Sequence, residues 1–360
     1  QYNDLDGGAI PHSPIYVLYF MFMQNFFGET MSRLINMHFI LLIPYFVYLS
    51  LKLKFNLNKN DIKNLLPVIF FISPHFRAGA LWIDDNVIAL TFLSISFYFY
   101  LRFENTENKS LKLIFLQVLF LALAAYFRPI YSIFGIYFFL NFFSQLHLKK
   151  KLFYYIVFNI ILSAPALYFI TILEQDQWFQ PYLFRTNYIT TFSLSLSIIF
   201  FYSLPFMLSN FDKLKSTLID KKIIFFSIIY LIFLFFNFSF KVPYSGGFFY
   251  KISNILFSNN YFFFFVSFLT FYFFLLIFKN FTVKKYLFFD LILLISLIFL
   301  EIDGVIYHEA YDPLFYILSF LFIKNKFYSE TIKNLTTKSM SYFFIFGISF
   351  LIISVLKPYV

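Results

Sequence analysis

Apolar runs recur along nearly the whole chain, at 34–53, 64–82, 86–101, 111–127, 129–146, 152–172, 190–209, 222–240, 260–278, 286–301, 313–323 and 340–356. Inside a bilayer a backbone N–H or C=O finds no partner outside its own segment, so such runs can settle only as helices. They predict an all-α fold, a polytopic transmembrane bundle of about 12 spans, although several runs fall short of the ~20 residues that a perpendicular crossing takes. With 61% of its 360 residues hydrophobic and 13% charged, the chain has too little polar material to cover a soluble domain. It has no cysteine, which excludes disulfides, a thiolate nucleophile and any Cys-ligated metal.

The basic residues set the expected orientation. Alternate loops read LKLKFNLNKNDIK, RFENTENKSLK, HLKKK, DKLKSTLIDKK, KNFTVKK and KNKFYSETIKNLTTK, and hold 21 of the 28 lysines and arginines. Positive residues stay on the cytoplasmic side, so these loops are read as cytoplasmic. The net charge of +10 therefore reports topology and gives no argument for a nucleic-acid partner. Twelve crossings put both ends outside. Because the sequence opens on Gln1 without Met or signal peptide, a helix before residue 1 is expected to be missing. The external side differs in kind: it carries eleven of the eighteen acids, four of the five arginines and most of the histidines. Arginine suits bidentate phosphate binding better than lysine does, so the chemistry is expected outside.

The opening stretch, residues 1–33, is read as an external loop followed by an interfacial helix. From Pro14 to Phe27 a helix would reach about 21 Å, against a hydrocarbon core of about 30 Å. It is expected to lie along the interface as an amphipathic helix, to end at Gly28, and to turn into the first span through ETMSR. Asp4 and Asp6 precede it. In an extended loop their alternation places both carboxylates on one side; the competing reading is a solvated acidic turn.

Further candidates sit where apolar runs meet the external side. In SPHFRAGALWIDDN, Asp84 and Asp85 lie at the hydrocarbon boundary, where charge is costly unless partnered or used. Either could instead cap the next helix, and Arg77, two turns back, could pair with Asp84. In YFRPIY, Arg128 precedes Pro129 at another junction and is read either as a phosphate ligand or as a headgroup anchor. The loop KVPYSGGFFYKISN offers Lys241, Gly246, Gly247, Tyr250 and Lys251. In EIDGVIYHEAYDP, a metal site of His308, Glu309 and Asp312 competes with a plain polar rim. No P-loop, Rossmann glycine pattern, HExxH or GxSxG occurs.

Taken in order, the acidic loop, HSPIY, the helix ending in FFG, SRL opening a span, and SPHFRAGALWIDDNVIALTFLSISFYFYLRF resemble the GT-C membrane glycosyltransferases. The similarity is to family 39 and its relatives, the protein O-mannosyltransferases and bacterial aminoarabinose transferases. It covers roughly residues 1–130. The family's Asp-Glu pair close to its His-Pro is replaced here by Asp-Leu-Asp-Gly-Gly, with five residues between Asp6 and His12.

The resemblance implies one transmembrane domain over 1–360, with spans over 34–356 and no soluble C-terminal domain. It implies transfer of a sugar, with inversion, from a polyprenyl-phosphate donor to a lipid, glycan or protein acceptor, on the periplasmic face of a bacterial inner membrane. Asp6, then Asp4, is the implied catalytic base. His12 binds or orients substrate; Asp84 and Asp85 hold acceptor or a divalent cation (Mg or Mn); Arg77, Arg128 and Lys251 hold the donor phosphate. Tyr307 and His308 are further substrate-binding candidates. Two other classes are open: a flippase or transporter of lipid-linked saccharides, which would need broken helices and mid-membrane charge, and an O-antigen polymerase or ligase.

Overall fold

A computed structural model describes residues 13–107, 109–146, 149–168, 187–215, 217, 219–240, 245–300 and 306–356. Sixteen α-helices follow one another there: α1 (Pro14–Ile40), α2 (Leu42–Phe55), α3 (Pro74–Trp82), α4 (Asp85–Glu104), α5 (Leu111–Phe127), α6 (Phe134–Gln145), α7 (Lys149–Tyr168), α8 (Tyr188–Ser209), α9 (Phe211–Lys215), α10 (Lys221–Asn237), α11 (Gly247–Phe257), α12 (Tyr261–Phe281), α13 (Lys284–Ile298), α14 (Leu314–Leu321), α15 (Lys326–Lys333) and α16 (Thr337–Leu356). Tighter 3₁₀ stretches cover Ile62–Ile72, Pro129–Ile133 and His308–Ala310, and no strand occurs among the described residues.

Local chemistry explains the breaks. Gly28 interrupts α1 with φ 69°, a left-handed conformation open to glycine at no steric cost, so the helix begun at Pro14 turns there as expected. Ser73 accepts a hydrogen bond from the Phe76 amide and Pro74 opens α3, a capped start that bends the chain by 61° from the preceding 3₁₀ stretch. Asp84 caps α4 in the same way. Between them Ile83 adopts φ 54°, a strained conformation for a β-branched residue.

Among the described residues six helices are long and apolar enough to cross a membrane, or seven if the bent pair 62–72 and 74–82 forms one span. The molecule is thus a membrane-embedded helical protein. By length the twelve apolar runs do not all qualify as spans. Central positions go to α4 and α8, which are buried over most of their surface, while α7 and α16 expose most of theirs. The front half of α1 also departs from expectation. Tyr16, Tyr19 and Met23 turn inward, but Leu18, Met21, Phe22 and Phe26 are exposed, so its outer surface is apolar.

The run at 313–323 differs most from its reading as a span. Its helix α14 has eight residues, about 12 Å, too short to cross. Nevertheless the chain from Glu309 to Lys324 travels the length of α4. The Glu309 carbonyl accepts from Asn86 at the start of α4, and Lys324 Nζ lies 3.9 Å from Glu104 at its end. Every residue from Ala310 to Ile323 is buried. Irregular backbone at this depth is tolerated because protein, rather than lipid, surrounds it.

Candidate functional site

One polar cluster forms where α3 meets α4. Asp84 Oδ1 accepts from the Asn86 amide at 3.0 Å, which confirms the capping reading for this residue. Asp85, the first residue of α4, faces Arg128 at 3.9 Å, and Arg128 ends α5. Asn86 is fully buried and ties three segments together: it donates to the Glu309 carbonyl at 2.6 Å and accepts from the Tyr131 hydroxyl at 2.5 Å. Asp84, Asp85, Glu309 and Arg128 are thereby held at one end of the bundle. Burial, followed by the neighbouring Asp85 carboxylate, pushes the Asp84 carboxyl up to about 7. Burial also raises Glu309, against the pull of the Arg128 guanidinium. A carboxyl that titrates near neutrality beside a second acid and an arginine can exchange protons with a bound hydroxyl.

The front half of α1 lies directly over this cluster. The Ser13 hydroxyl donates to the Tyr126 carbonyl, two residues before Arg128. The Tyr16 hydroxyl donates to the Ile83 carbonyl at 3.0 Å, next to Asp84. Beyond Gly28, Arg33 stacks 4.7 Å over the Trp82 ring and pairs with Glu29.

Deeper in the bundle the two broken segments meet at their breaks. Ser73 Oγ donates to Asp312 Oδ2 at 2.7 Å. The Phe248 amide donates to His308 Nε2 at 2.8 Å, which leaves that ring's proton on Nδ1, facing the Tyr202 hydroxyl at 3.1 Å. Tyr202 in turn bonds Asp312. The result is a directed chain from the first turn of α11 through His308 and Tyr202 to a carboxylate. His75 stacks on His308 with ring centroids 5.9 Å apart.

These positions sort the residues expected from sequence. Asp84, Asp85 and Arg128 come together, and His308 lies on the neighbouring network with half-buried Tyr307 beside it. Arg77 is exposed on α3 and makes no ion pair among the described residues, so the pairing with Asp84 that spacing offered is not formed; Arg128 faces the neighbouring Asp85 instead. Lys251 sits one turn along α11 from Phe248. Asp4, Asp6, His12 and Lys241 lie outside the described residues. The 306–312 stretch is no polar rim, since His308, Tyr311 and Asp312 are buried. The Ser73–Asp312–Tyr202 network went unforeseen, although Ser-Pro inside one apolar run and Asp-Pro at the mouth of another both signalled breaks.

Among the described residues no three His, Asp or Glu side chains converge closely enough to hold a metal ion. Asp84 caps α4 through Oδ1, and Asp85 faces Arg128. No protein-family model, curated protein or solved structure matches the chain.

Proposed function

We propose that the chain is a GT-C-type membrane glycosyltransferase that moves a sugar from a polyprenyl-phosphate donor to a lipid, glycan or protein acceptor. The observation that carries the reading is the docking of α1 on the acidic cluster. The residues behind the resemblance, at the start of α1, at 83–85 and at 128, are far apart in sequence yet joined by Ser13–Tyr126, Tyr16–Ile83 and Asp85–Arg128 contacts. Asp4 and Asp6 precede Ser13 in the sequence, and Ser13 lies beside that cluster.

In this proposal Asp6, with Asp4 as alternative, takes the proton from the acceptor hydroxyl as its oxygen attacks the anomeric carbon. The phosphate departs with the bonding electrons of the broken C–O bond. Arg128 offsets charge on that phosphate, and Asp84 and Asp85 orient the acceptor. No step is routed through a metal. The site would face the periplasm of a bacterial inner membrane.

The test is transfer from a polyprenyl-phosphate sugar in detergent. Asp6→Asn retains size but cannot take a proton, so turnover should drop ~10²–10⁴-fold while donor binding survives. Normal turnover in the Asp4, Asp6 and Asp85 asparagine variants alike would overturn the proposal. A transporter of lipid-linked saccharides is the second reading, favoured by two broken segments meeting at a buried carboxylate, a pattern that transporters share. Movement of a labelled lipid-linked sugar across vesicles without transfer would favour it.

A further inference from the structure

The start of α11 is fastened by a distant side chain. A helix commonly satisfies its first amides with a Ser, Thr, Asp or Asn side chain just ahead of it. Here that place belongs to Gly246, and the hydroxyl of Ser245 before it is buried without a hydrogen-bond partner. Residues 306–308 hold the turn instead. The Gly246 amide donates to the Ile306 carbonyl at 2.8 Å, and the Phe248 amide donates to His308 Nε2 at 2.8 Å. Gly246 and Gly247 take φ 91° and 80°, the left-handed region that glycine reaches freely, and this seats the turn against the imidazole. The seat is close: a Cβ on Gly247 would lie 2.6 Å from Ile198 Cγ1 and 3.7 Å from His308 Nε2.

An imidazole can accept that bond only in its neutral form. Nε2 takes the amide hydrogen with its one lone pair, and the ring proton stands on Nδ1 toward Tyr202. A second proton can enter only at Nε2. It would set an N–H against the Phe248 N–H, and a positive charge at the positive end of a helix. Free imidazole takes up that proton near pH ~6.5. Groups from several elements surround the ring. His75 of α3 stacks on it at 5.9 Å, and Tyr202 of α8 bonds it at 3.1 Å. Phe201 and Phe350 pack against it with uncharged rings. Asp312, on the same segment, is reached through Tyr202. Tyr307 and Glu309 flank His308 in sequence, and Arg77 and Lys251 stand further along α3 and α11. The Asp312 carboxylate favours a charged ring and the Phe248 amide opposes it, so acid reaches Nε2 only by breaking the amide contact.

We propose that His308 is a pH-sensitive latch on α11. Neutral, it holds the first turn; protonated at Nε2, it lets Ser245 to Phe248 leave their seat. One proton from water binds Nε2 and one hydrogen bond breaks, with no other chemical change. Lys251 follows Phe248 by one turn, so release would also move the cation that the glycosyltransferase reading assigns to the donor phosphate. The latch itself does not rest on that reading.

The chain has no cysteine, so one introduced thiol reports by itself. Ser245→Cys exchanges a buried, unbonded hydroxyl for a thiol. The purified full chain carrying it is labelled in detergent with a water-soluble maleimide at pH 8 and at pH 5. Each rate is divided by that of the same protein unfolded at the same pH, which removes the thiol's own titration. With His308 intact, the normalised rate should rise at least ~10-fold at pH 5, as expected when a buried donor loses its partner. Adding His308→Gln keeps an acceptor that does not titrate, so labelling should stay slow at both pH values. Adding His308→Phe keeps a ring without an acceptor, so labelling should be fast at both. Ser319→Cys, at a buried and unbonded hydroxyl on α14, is the control for general loosening and should stay slow throughout. Equal rates at pH 8 and pH 5 with His308 intact would overturn the proposal. So would a pH response undiminished by His308→Gln, or a matching rise at Ser319→Cys. Transferase turnover is not part of this readout, so failure of the glycosyltransferase reading leaves the result intact.

Discussion

Asp84→Asn separates the two things that Asp84 does. Asparagine caps a helix about as well as aspartate, so the bond to the Asn86 amide survives while the charge is removed. In the folded protein this carboxyl is held near 7 against an ordinary value of 3.8, chiefly by burial and then by Asp85. The stability linked to the neutral form is therefore fully present below 3.8 and is lost as pH rises toward 7. At about 1.4 kcal/mol for each pH unit between those values, ionisation costs roughly 4 kcal/mol. Residual solvent access at Asp84 screens part of that, leaving roughly 2–3 kcal/mol. Asp84→Asn should consequently raise the detergent melting temperature at pH 8 by several degrees, at about 2–4 °C per kcal/mol. The gain should shrink by more than half at pH 5. A variant less stable than wild type at pH 8, or one whose gain is equal at both pH values, would refute the reasoning.

Topology is tested by reporter fusions: those after Lys63, Lys151, Lys222 and Lys338 should report cytoplasm, and those after Gln180 and Asn259 the outside, given that 21 of 28 basic residues lie on one set of loops. Swapped signals at most positions would reverse the orientation. At Gly79 an added Cβ would lie 2.2 Å from Val87 Cγ2, so Gly79→Ala should destabilise by about 1–3 kcal/mol. Val87→Ala in the same chain should recover part of this; a Gly79→Ala protein as stable as wild type would show that α3 and α4 are not packed this closely.

Features governed by a few neighbouring residues were legible in the sequence. Gly28, Asp84 and Pro129 each mark a break or a helix start by local rules, and the structure has one at each place, whereas the break at Ser73-Pro74 falls inside a run read as one span. The meeting of Asp85 with Arg128 was not read from the sequence, whose spacing pointed to Arg77 and Asp84. What failed was reading hydropathy as lipid exposure. Residues 313–323 are as apolar as any span, yet protein covers them on every side, and hydropathy does not distinguish a lipid neighbour from a phenylalanine. Asp312 looked external for the same reason. Its bonds to Ser73 and Tyr202 join residues 239 and 110 positions away, a pairing that local pattern cannot encode.

The buried course of Glu309–Lys324 also constrains biogenesis. A short helix with an irregular flank cannot be released sideways into lipid by itself, because its open backbone groups would find no partners there. It needs a cleft that already exists, and α2, α4 and α8, which surround it, all leave the ribosome earlier. Only then does α16 follow, packing against α8 and the 62–72 stretch. Chain order thus supplies a workable assembly sequence: walls first, then the threaded segment, then the closing helix. A chain ending before residue 306 would present that cleft unfilled, with Lys54 lacking the Phe320 and Leu321 carbonyls that hold its charge, a natural signal for membrane-protein quality control.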